Sequence, residues 1–276
     1  MKAVRYAGAD GAPRLGRLED DHIVDAGPAP AVGFDASPAA WEGIASAAGE
    51  QVAVAASRLL HPCEPRKLIG IGLNYRDHAA ESELDIPSVP VLFAKWPSAL
   101  VGHGATIVVP REETRPDYEG EVAVVIGRRT YRADAEAARA AVGGISAMND
   151  VSGRRAQLET PLRQFTLGKS FDTFAPMGPS VTSADGVDLA AIDIKTTVSG
   201  EELQSSNTRN LIFSIVELIQ YASAGMTLEP GDVIATGTPG GVGDSRTPPR
   251  YLRDGDVVDV WVDGVGTLRN PVALET

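Results

Sequence analysis

Apolar residues along this chain fall mostly in short alternating or unbroken runs, the mark of strands, and only a few stretches repeat them at helical spacing. Lys2–Tyr6, the region around Leu15–Leu18 and His22–Asp25 read as short strands. Pro28 and Pro30 break the chain, and Ser37-Pro38 then offers a cap and a first-turn proline for a helix. Pro62 and Pro65 bracket an extended linker, because proline fixes its own backbone and disfavours helix before it. Val122–Ile126 is apolar at every position, as expected of a strand buried on both faces. A helix is predicted over Ala133–Val142, ended by Gly143-Gly144. The longest helix is predicted from about Thr208 to Ala224, behind an Asn207 or Thr208 cap and stopped by Gly225. Its apolar positions, Leu211, Ile212, Ile215, Val216, Leu218 and Ile219 among them, nearly encircle it and predict packing within the main domain. Asp232–Ala235 reads as a strand, and Asp256–Val262 is turned by Asp263-Gly264 into Val265–Leu268 as a hairpin.

Strands outnumber helices and do not alternate with them, so the fold class is α+β, strand-rich and mainly antiparallel, rather than doubly wound. The 276 residues, 43% hydrophobic, support a sizeable core divided between a small N-terminal accessory domain, residues 1–62, and a larger domain, residues 66–276. A formal charge of −12 with no basic run argues against nucleic acid as a partner. Cys63 is the only cysteine, which excludes an intramolecular disulfide and fits a reducing compartment. Met1–Tyr6 lacks an apolar signal core and no stretch approaches the roughly 18 apolar residues of a membrane span. The expectation is a cytoplasmic protein without a membrane partner. Gly70-Ile-Gly72 begins like a dinucleotide fingerprint, but Tyr75 stands where its third glycine belongs, and no Gly-Lys-Ser/Thr follows the glycines of 237–243.

The chemistry concentrates where charge meets the apolar runs. Glu119 and Glu121 head the run Val122–Ile126, and strand alternation points both the same way. Two like charges beside a core are costly unless a cation or strong hydrogen bonds compensate them. Asp150, beyond the next helix, is a third carboxylate able to complete an all-oxygen cage suited to Mg²⁺ or Mn²⁺ rather than zinc; a solvated strand end is the plainer reading of the pair. His78 and Glu81 are three apart, a spacing that lets the carboxylate orient the imidazole but that exposed helix neighbours also share. Arg154 and Gln157 are likewise three apart and share a face if the segment is helical. Arg154 and Lys169 would supply local positive charge for an anionic substrate on an acidic protein, and the glycine loop presents Thr238.

Taken in order, Ile69–Tyr75, His78–Glu81, Leu92–Lys95, Pro97–Leu100, Asp117–Val122, Asn149–Ser152, Gly168–Asp172, Asn207-Thr208 and Gly237–Pro239 resemble the fumarylacetoacetate hydrolase family over nearly all of residues 66–276. The resemblance implies a rolled, sandwich-like β catalytic domain, usually in a homodimer. It implies Glu119, Glu121 and Asp150 as ligands of one Mg²⁺ or Mn²⁺ per subunit, and Lys169 as a cation beside the substrate. His78 with Glu81 would activate water, and Arg154, Gln157 and Thr238 would contact substrate oxygens. Trp96, His103 and Ser146 depart from the family pattern; Trp96 and His103, with the 158–165 loop, are expected to shape the pocket.

The implied reaction is hydrolysis of a carbon–carbon bond in a small anionic 2-oxo acid such as an acylpyruvate, with the electrons received as an enolate stabilised by the metal. The same chemistry serves decarboxylation of oxaloacetate or isomerisation of an unsaturated 2-oxo dioic acid. An inactive ligand-binding homologue is the alternative outside enzymes. The polar segment Glu81–Val89 is expected to act as a lid over the site, and Arg76 and Asp77 to be structural.

Overall fold

The strand Gly120–Ile126 lies between two layers of core, and the rest of the architecture can be read outward from it. In this computed structural model, which describes residues 1–82 and 85–276, Val122, Val124 and Ile126 face one apolar cluster while Ala123 and Val125 face another. That double burial accounts for the unbroken apolar run. The strand belongs to a twelve-stranded sheet in which it pairs antiparallel with Val142–Asn149 on one side and Val233–Ala235 on the other. Leu68–Gly72 continues the sheet in parallel with Val233–Ala235, and Val91–Lys95 follows it antiparallel. A five-stranded sheet, including Asp193–Val198, Val257–Val262 and Gly266–Leu274, covers the other face, its Ile194, Val258, Val260 and Leu268 sharing the cluster of Val122 and Val124. The chain is strand-rich α+β, its pairings mostly antiparallel.

The N-terminal strands Lys2–Ala7, Pro13–Glu19 and His22–Pro28 form where alternation predicts them. Lys2–Ala7 also pairs with Ala175–Ser183, through Lys2↔Thr182 and Ala3↔Val181, so the sheet of the first 62 residues is continuous with that of the rest. Ser37 caps the helix Pro38–Ala45 by accepting the Ala40 N–H at 3.2 Å. The predicted Ala133–Val142 helix spans Ala135–Ala141, opened by an Asp134 cap, and Val142 already belongs to the next strand.

The longest predicted helix is corrected at its start. It spans Ile215–Ser223, not Thr208–Ala224, and Asn207 caps only a single 3₁₀ turn, Thr208–Asn210. Between the two, Asn74 captures the backbone: its carbonyl accepts the Ile212 N–H at 2.7 Å and its Oδ1 the Phe213 N–H at 2.9 Å. Those amides are therefore lost to any helix, and a reciprocal Ser214–Glu217 capping box opens the real one. Nor is it apolar all round, since Ile215, Leu218, Ile219 and Ala222 are buried while Tyr221 is exposed.

Candidate active site

Strand pairing brings the acids together. Gly120 is opposite Asn149, so Asp150 leaves its strand beside Glu119. The Glu119 carbonyl accepts the Asp150 N–H at 2.8 Å, and Asn149 Oδ1 accepts the Glu119 N–H at 3.0 Å, which locks the two strand ends. Glu119, Glu121 and Asp150 are all buried, and each offers an oxygen within 4.8 Å of the other two. Glu121 accepts the Gly237 N–H at 2.8 Å. Gly237 can present it only as glycine: its φ is +103°, and an added Cβ would lie 2.7 Å from Asn74 Cβ.

Cations answer these charges unevenly. Lys169 Nζ reaches Glu119 Oε2 and Asp150 Oδ2, both at 2.7 Å, and donates to Ser152 Oγ at 2.8 Å. Arg154 Nη2 reaches Glu119 Oε1 at 2.7 Å and Asp117 Oδ2 at 2.8 Å. Burial alone would raise the Glu119 carboxyl, but Lys169 and Arg154 outweigh it and hold the group well below the usual carboxylate range. Burial raises Glu121, and the charges of Asp150 and Glu119 push it further up, with only Lys169 and the Gly237 N–H opposing. Glu121 is thus a buried carboxylate without a cation on it, in an all-oxygen cluster. A hard divalent ion held by Glu119, Glu121 and Asp150 fits that donor set and would remove the penalty.

Above this floor is a cavity of about 580 Å³, lined by seven of the nine residues singled out from sequence: His78, Glu81, Glu119, Arg154, Gln157, Lys169 and Thr238. Glu121 and Asp150 lie behind its lining. Ile71, Phe93, Phe165 and Val242 form its apolar wall. His78 and Glu81 occupy the short helix Arg76–Glu81, with His78 Nδ1 2.7 Å from Glu81 Oε1. The other Glu81 oxygen accepts the Gly241 N–H at 2.6 Å, tying this helix to the glycine loop. Arg154 and Gln157 do share a helical face, where Arg154 Nη1 donates to Gln157 Oε1 at 3.0 Å.

Thr238 borders the cavity, but its hydroxyl donates to the Gly120 carbonyl at 3.0 Å and accepts from Gln204 Nε2 at 2.8 Å. Trp96 and His103 do not line the cavity, which corrects the expectation that they shape it. Trp96 is 56% exposed beyond the strand Val91–Lys95, and His103 Nδ1 accepts the Arg269 N–H at 3.2 Å. From the 158–165 loop, Leu158, Arg163 and Phe165 do line it. Ser146 is buried and donates to the Ser180 carbonyl at 2.8 Å. The expected lid, Glu81–Val89, includes residues 83 and 84, which lie outside the described residues.

Sequence reasoning missed two charged residues. Lys95 is fully buried, its Nζ 2.5 Å from Asp150 Oδ1 and also donating to the Lys169 carbonyl. A lysine closing the strand Val91–Lys95 was its only local signal. Asp117 accepts from Arg154, from the Gly243 N–H at 2.7 Å and from the Asp244 N–H at 3.0 Å; burial raises its carboxyl above the usual range, with the Arg154 charge the main opposing influence. Its signal was stronger, because Asp117, Glu119 and Glu121 continue one alternation.

The family model described as fumarylacetoacetate (FAA) hydrolase C-terminal matches residues 67–273. The chain is 46% identical over 215 residues to a Bacillus subtilis protein named oxaloacetate tautomerase YisK, covering 76% of this chain and 71% of that one. Among solved structures, a 5-carboxymethyl-2-hydroxymuconate delta-isomerase from Mycobacterium smegmatis is 34% identical with a TM-score of 0.83, over 100% of both chains. A fumarylacetoacetate hydrolase from psychrophilic Exiguobacterium antarcticum is 36% identical with a TM-score of 0.84, also over 100% of both. Family, fold and buried acidic cluster therefore coincide, and this chain belongs to the fumarylacetoacetate hydrolase family of enzymes.

Proposed function

We propose that this protein is a divalent-metal-dependent enzyme that moves a proton within a small anionic 2-oxo acid, interconverting keto and enol forms. The observation that carries this reading is the His78–Glu81 pair, 2.7 Å apart, set in the wall of a cavity whose floor holds Lys169, Arg154 and the acidic cluster. Proton transfer next to a carbonyl needs a base over the carbon and positive charge near the oxygen, and this cavity has both kinds of group. The relatives named as an oxaloacetate tautomerase and a delta-isomerase support the same class of reaction.

Glu81 accepts from His78 Nδ1, which leaves Nε2 as the base. In the keto-to-enol direction Nε2 takes a proton from the carbon beside the 2-oxo group, and Glu81 stabilises the imidazolium that results. The electron pair of the broken C–H bond becomes the C=C bond, the carbonyl π pair moves to the oxygen, and that oxygen takes a proton from solvent while the His78 imidazolium returns its own to solvent. A divalent ion, Mg²⁺ or Mn²⁺, held by Glu119, Glu121 and Asp150 would supply Lewis acidity for the charge developing on that oxygen. Lys169 adds positive charge at the floor, and Gln157, whose Oε1 is engaged by Arg154, keeps its amide NH₂ as a donor to substrate oxygens. Phe93 and Phe165 line the cavity and would shield a bound substrate from water.

Hydrolysis of an acylpyruvate is the second reading, supported by the likeness to the Exiguobacterium hydrolase. It draws on the same dyad, with His78 taking its proton from water. The two are separated by supplying enol-rich oxaloacetate and an acylpyruvate in turn with Mg²⁺. Faster loss of enol absorbance without pyruvate formation is expected. Release of two acids from the acylpyruvate, with no effect on enol decay, would overturn the proton-transfer reading in favour of hydrolysis.

A further inference from the structure

Each carboxylate of the acidic cluster commits one oxygen to a donor fixed in the protein. Arg154 holds Glu119 Oε1 at 2.7 Å, the Gly237 N–H holds Glu121 Oε2 at 2.8 Å, and Lys95 holds Asp150 Oδ1 at 2.5 Å. The oxygens left over are Glu119 Oε2, Glu121 Oε1 and Asp150 Oδ2. Lys169 bridges the first and third from the cavity side, and among the described residues Glu121 Oε1 accepts no hydrogen bond. Lys95 differs from the other cations. It does not line the cavity, its side chain is 0% exposed, and no step of the proposed reaction uses it.

We infer that Lys95 is a positioning residue that restricts Asp150 to one oxygen toward a bound ion, and that it thereby makes the centre prefer Mg²⁺ or Mn²⁺ to Ca²⁺. The inference rests on reading the cluster as the metal centre. Ca²⁺ takes six to eight oxygens and readily accepts both oxygens of a carboxylate, whereas Mg²⁺ demands a small octahedral shell and keeps several waters. Three carboxylates limited to single oxygens match the second ion. Lys95 is itself fixed, because its ammonium also donates to the Lys169 carbonyl and lies 3.4 Å from the Val151 carbonyl. A neutral side chain that donates no hydrogen bond would free Asp150 Oδ1 to turn toward the ion.

The test is Mn²⁺ binding to the purified protein, followed by electron paramagnetic resonance, with Mg²⁺ and Ca²⁺ as competitors and ¹⁷O-water broadening to count waters on the ion. Wild-type protein is expected to hold Mn²⁺ with about three waters, the remainder of an octahedral shell. Lys95→Met is expected to lose one of those waters and to shift competition toward Ca²⁺ by roughly tenfold. Lys95→Gln, which keeps a donor, should stay near wild type. An unchanged water count and Mg²⁺-to-Ca²⁺ ratio in Lys95→Met overturns the role of Lys95 while leaving the metal centre standing. If Lys95→Met does not fold, a wild-type ion with fewer waters overturns the single-oxygen arrangement. Wild-type protein that binds no Mn²⁺ overturns the metal centre and this inference with it.

Discussion

Glu81 accepts the Gly241 N–H at 2.6 Å, a hydrogen bond between a six-residue helix and a loop 160 residues further along the chain. The carboxylate that orients His78 is therefore itself anchored by the loop that carries Thr238. Removing it with Glu81→Ala should lower kcat by about 10²–10⁴-fold, the usual worth of a positioned acid–base group. KM should change little, since Glu81 is assigned no substrate contact. Steady-state kinetics would check this, and a variant with wild-type kcat would remove the dyad from the mechanism.

Glu121 is the carboxyl of the cluster that burial and its acidic neighbours penalise most in the charged form. Glu121→Gln should therefore stabilise the metal-free protein at neutral pH, raising its Tm by about 2–4 °C for each kcal/mol gained. The same substitution should abolish the rise in Tm that Mn²⁺ gives wild-type protein, which amounts to about 2.7 kcal/mol at a concentration of 100 Kd. Thermal melts with and without Mn²⁺ test both halves.

Arg154 is committed to Asp117 and Glu119 in a buried network. Arg154→Met leaves both carboxylates without their guanidinium, a change that costs about 3–5 kcal/mol when a buried pair is broken from one side. Denaturant unfolding should register that loss. Gln157→Ala should cost less stability, since Arg154 keeps both carboxylates and loses only its bond to Gln157 Oε1, and should raise KM, because the Gln157 amide borders the cavity.

The parts of this site that depend on local periodicity were legible in the sequence. Glu119 and Glu121 share a face because strand alternation runs unbroken into Val122–Ile126, and His78 meets Glu81 because a helical turn brings residues three apart together. Asp150 stood out as a third acid, but its place beside Glu119 depends on the Gly120↔Asn149 register, which no local pattern encodes. Lys95 was missed for a similar reason: its burial arises from a strand edge meeting Asp150 from 55 residues away. The helix after Asn207 starts later than its apolar spacing and the Asn207 or Thr208 cap predict. Its Ser214–Glu217 capping box was a local signal, whereas the capture of Ile212 and Phe213 by Asn74 was not.

Away from the site, Asp25 binds Arg14 through both oxygens, at 2.7 and 2.5 Å, and accepts the Tyr6 hydroxyl at 2.5 Å. The hydrogen bonds from Arg14 hold the Asp25 carboxyl below its usual range despite partial burial. A carboxyl depressed by folding contributes stability that is present above its unfolded pKa and lost as pH falls through the folded value. Asp25→Asn should therefore lower Tm at neutral pH and lessen the difference in Tm between neutral and acid conditions. Tyr6 moves the opposite way, pushed up to about 12 by burial and then by Asp25, so its share is present below the ordinary tyrosine range and lost as pH rises through that value. Melting curves across acid and alkaline pH would show both limbs.

The convergence of Glu119, Glu121 and Asp150 on one divalent ion is most directly tested by anomalous diffraction from crystals soaked in Mn²⁺. A single strong peak about 2 Å from an oxygen of each of the three carboxylates is the predicted result. Ordered crystals with no peak there, or with the ion bound elsewhere and the three carboxylates still engaged only with Lys95, Lys169, Arg154 and the Gly237 N–H, would contradict it.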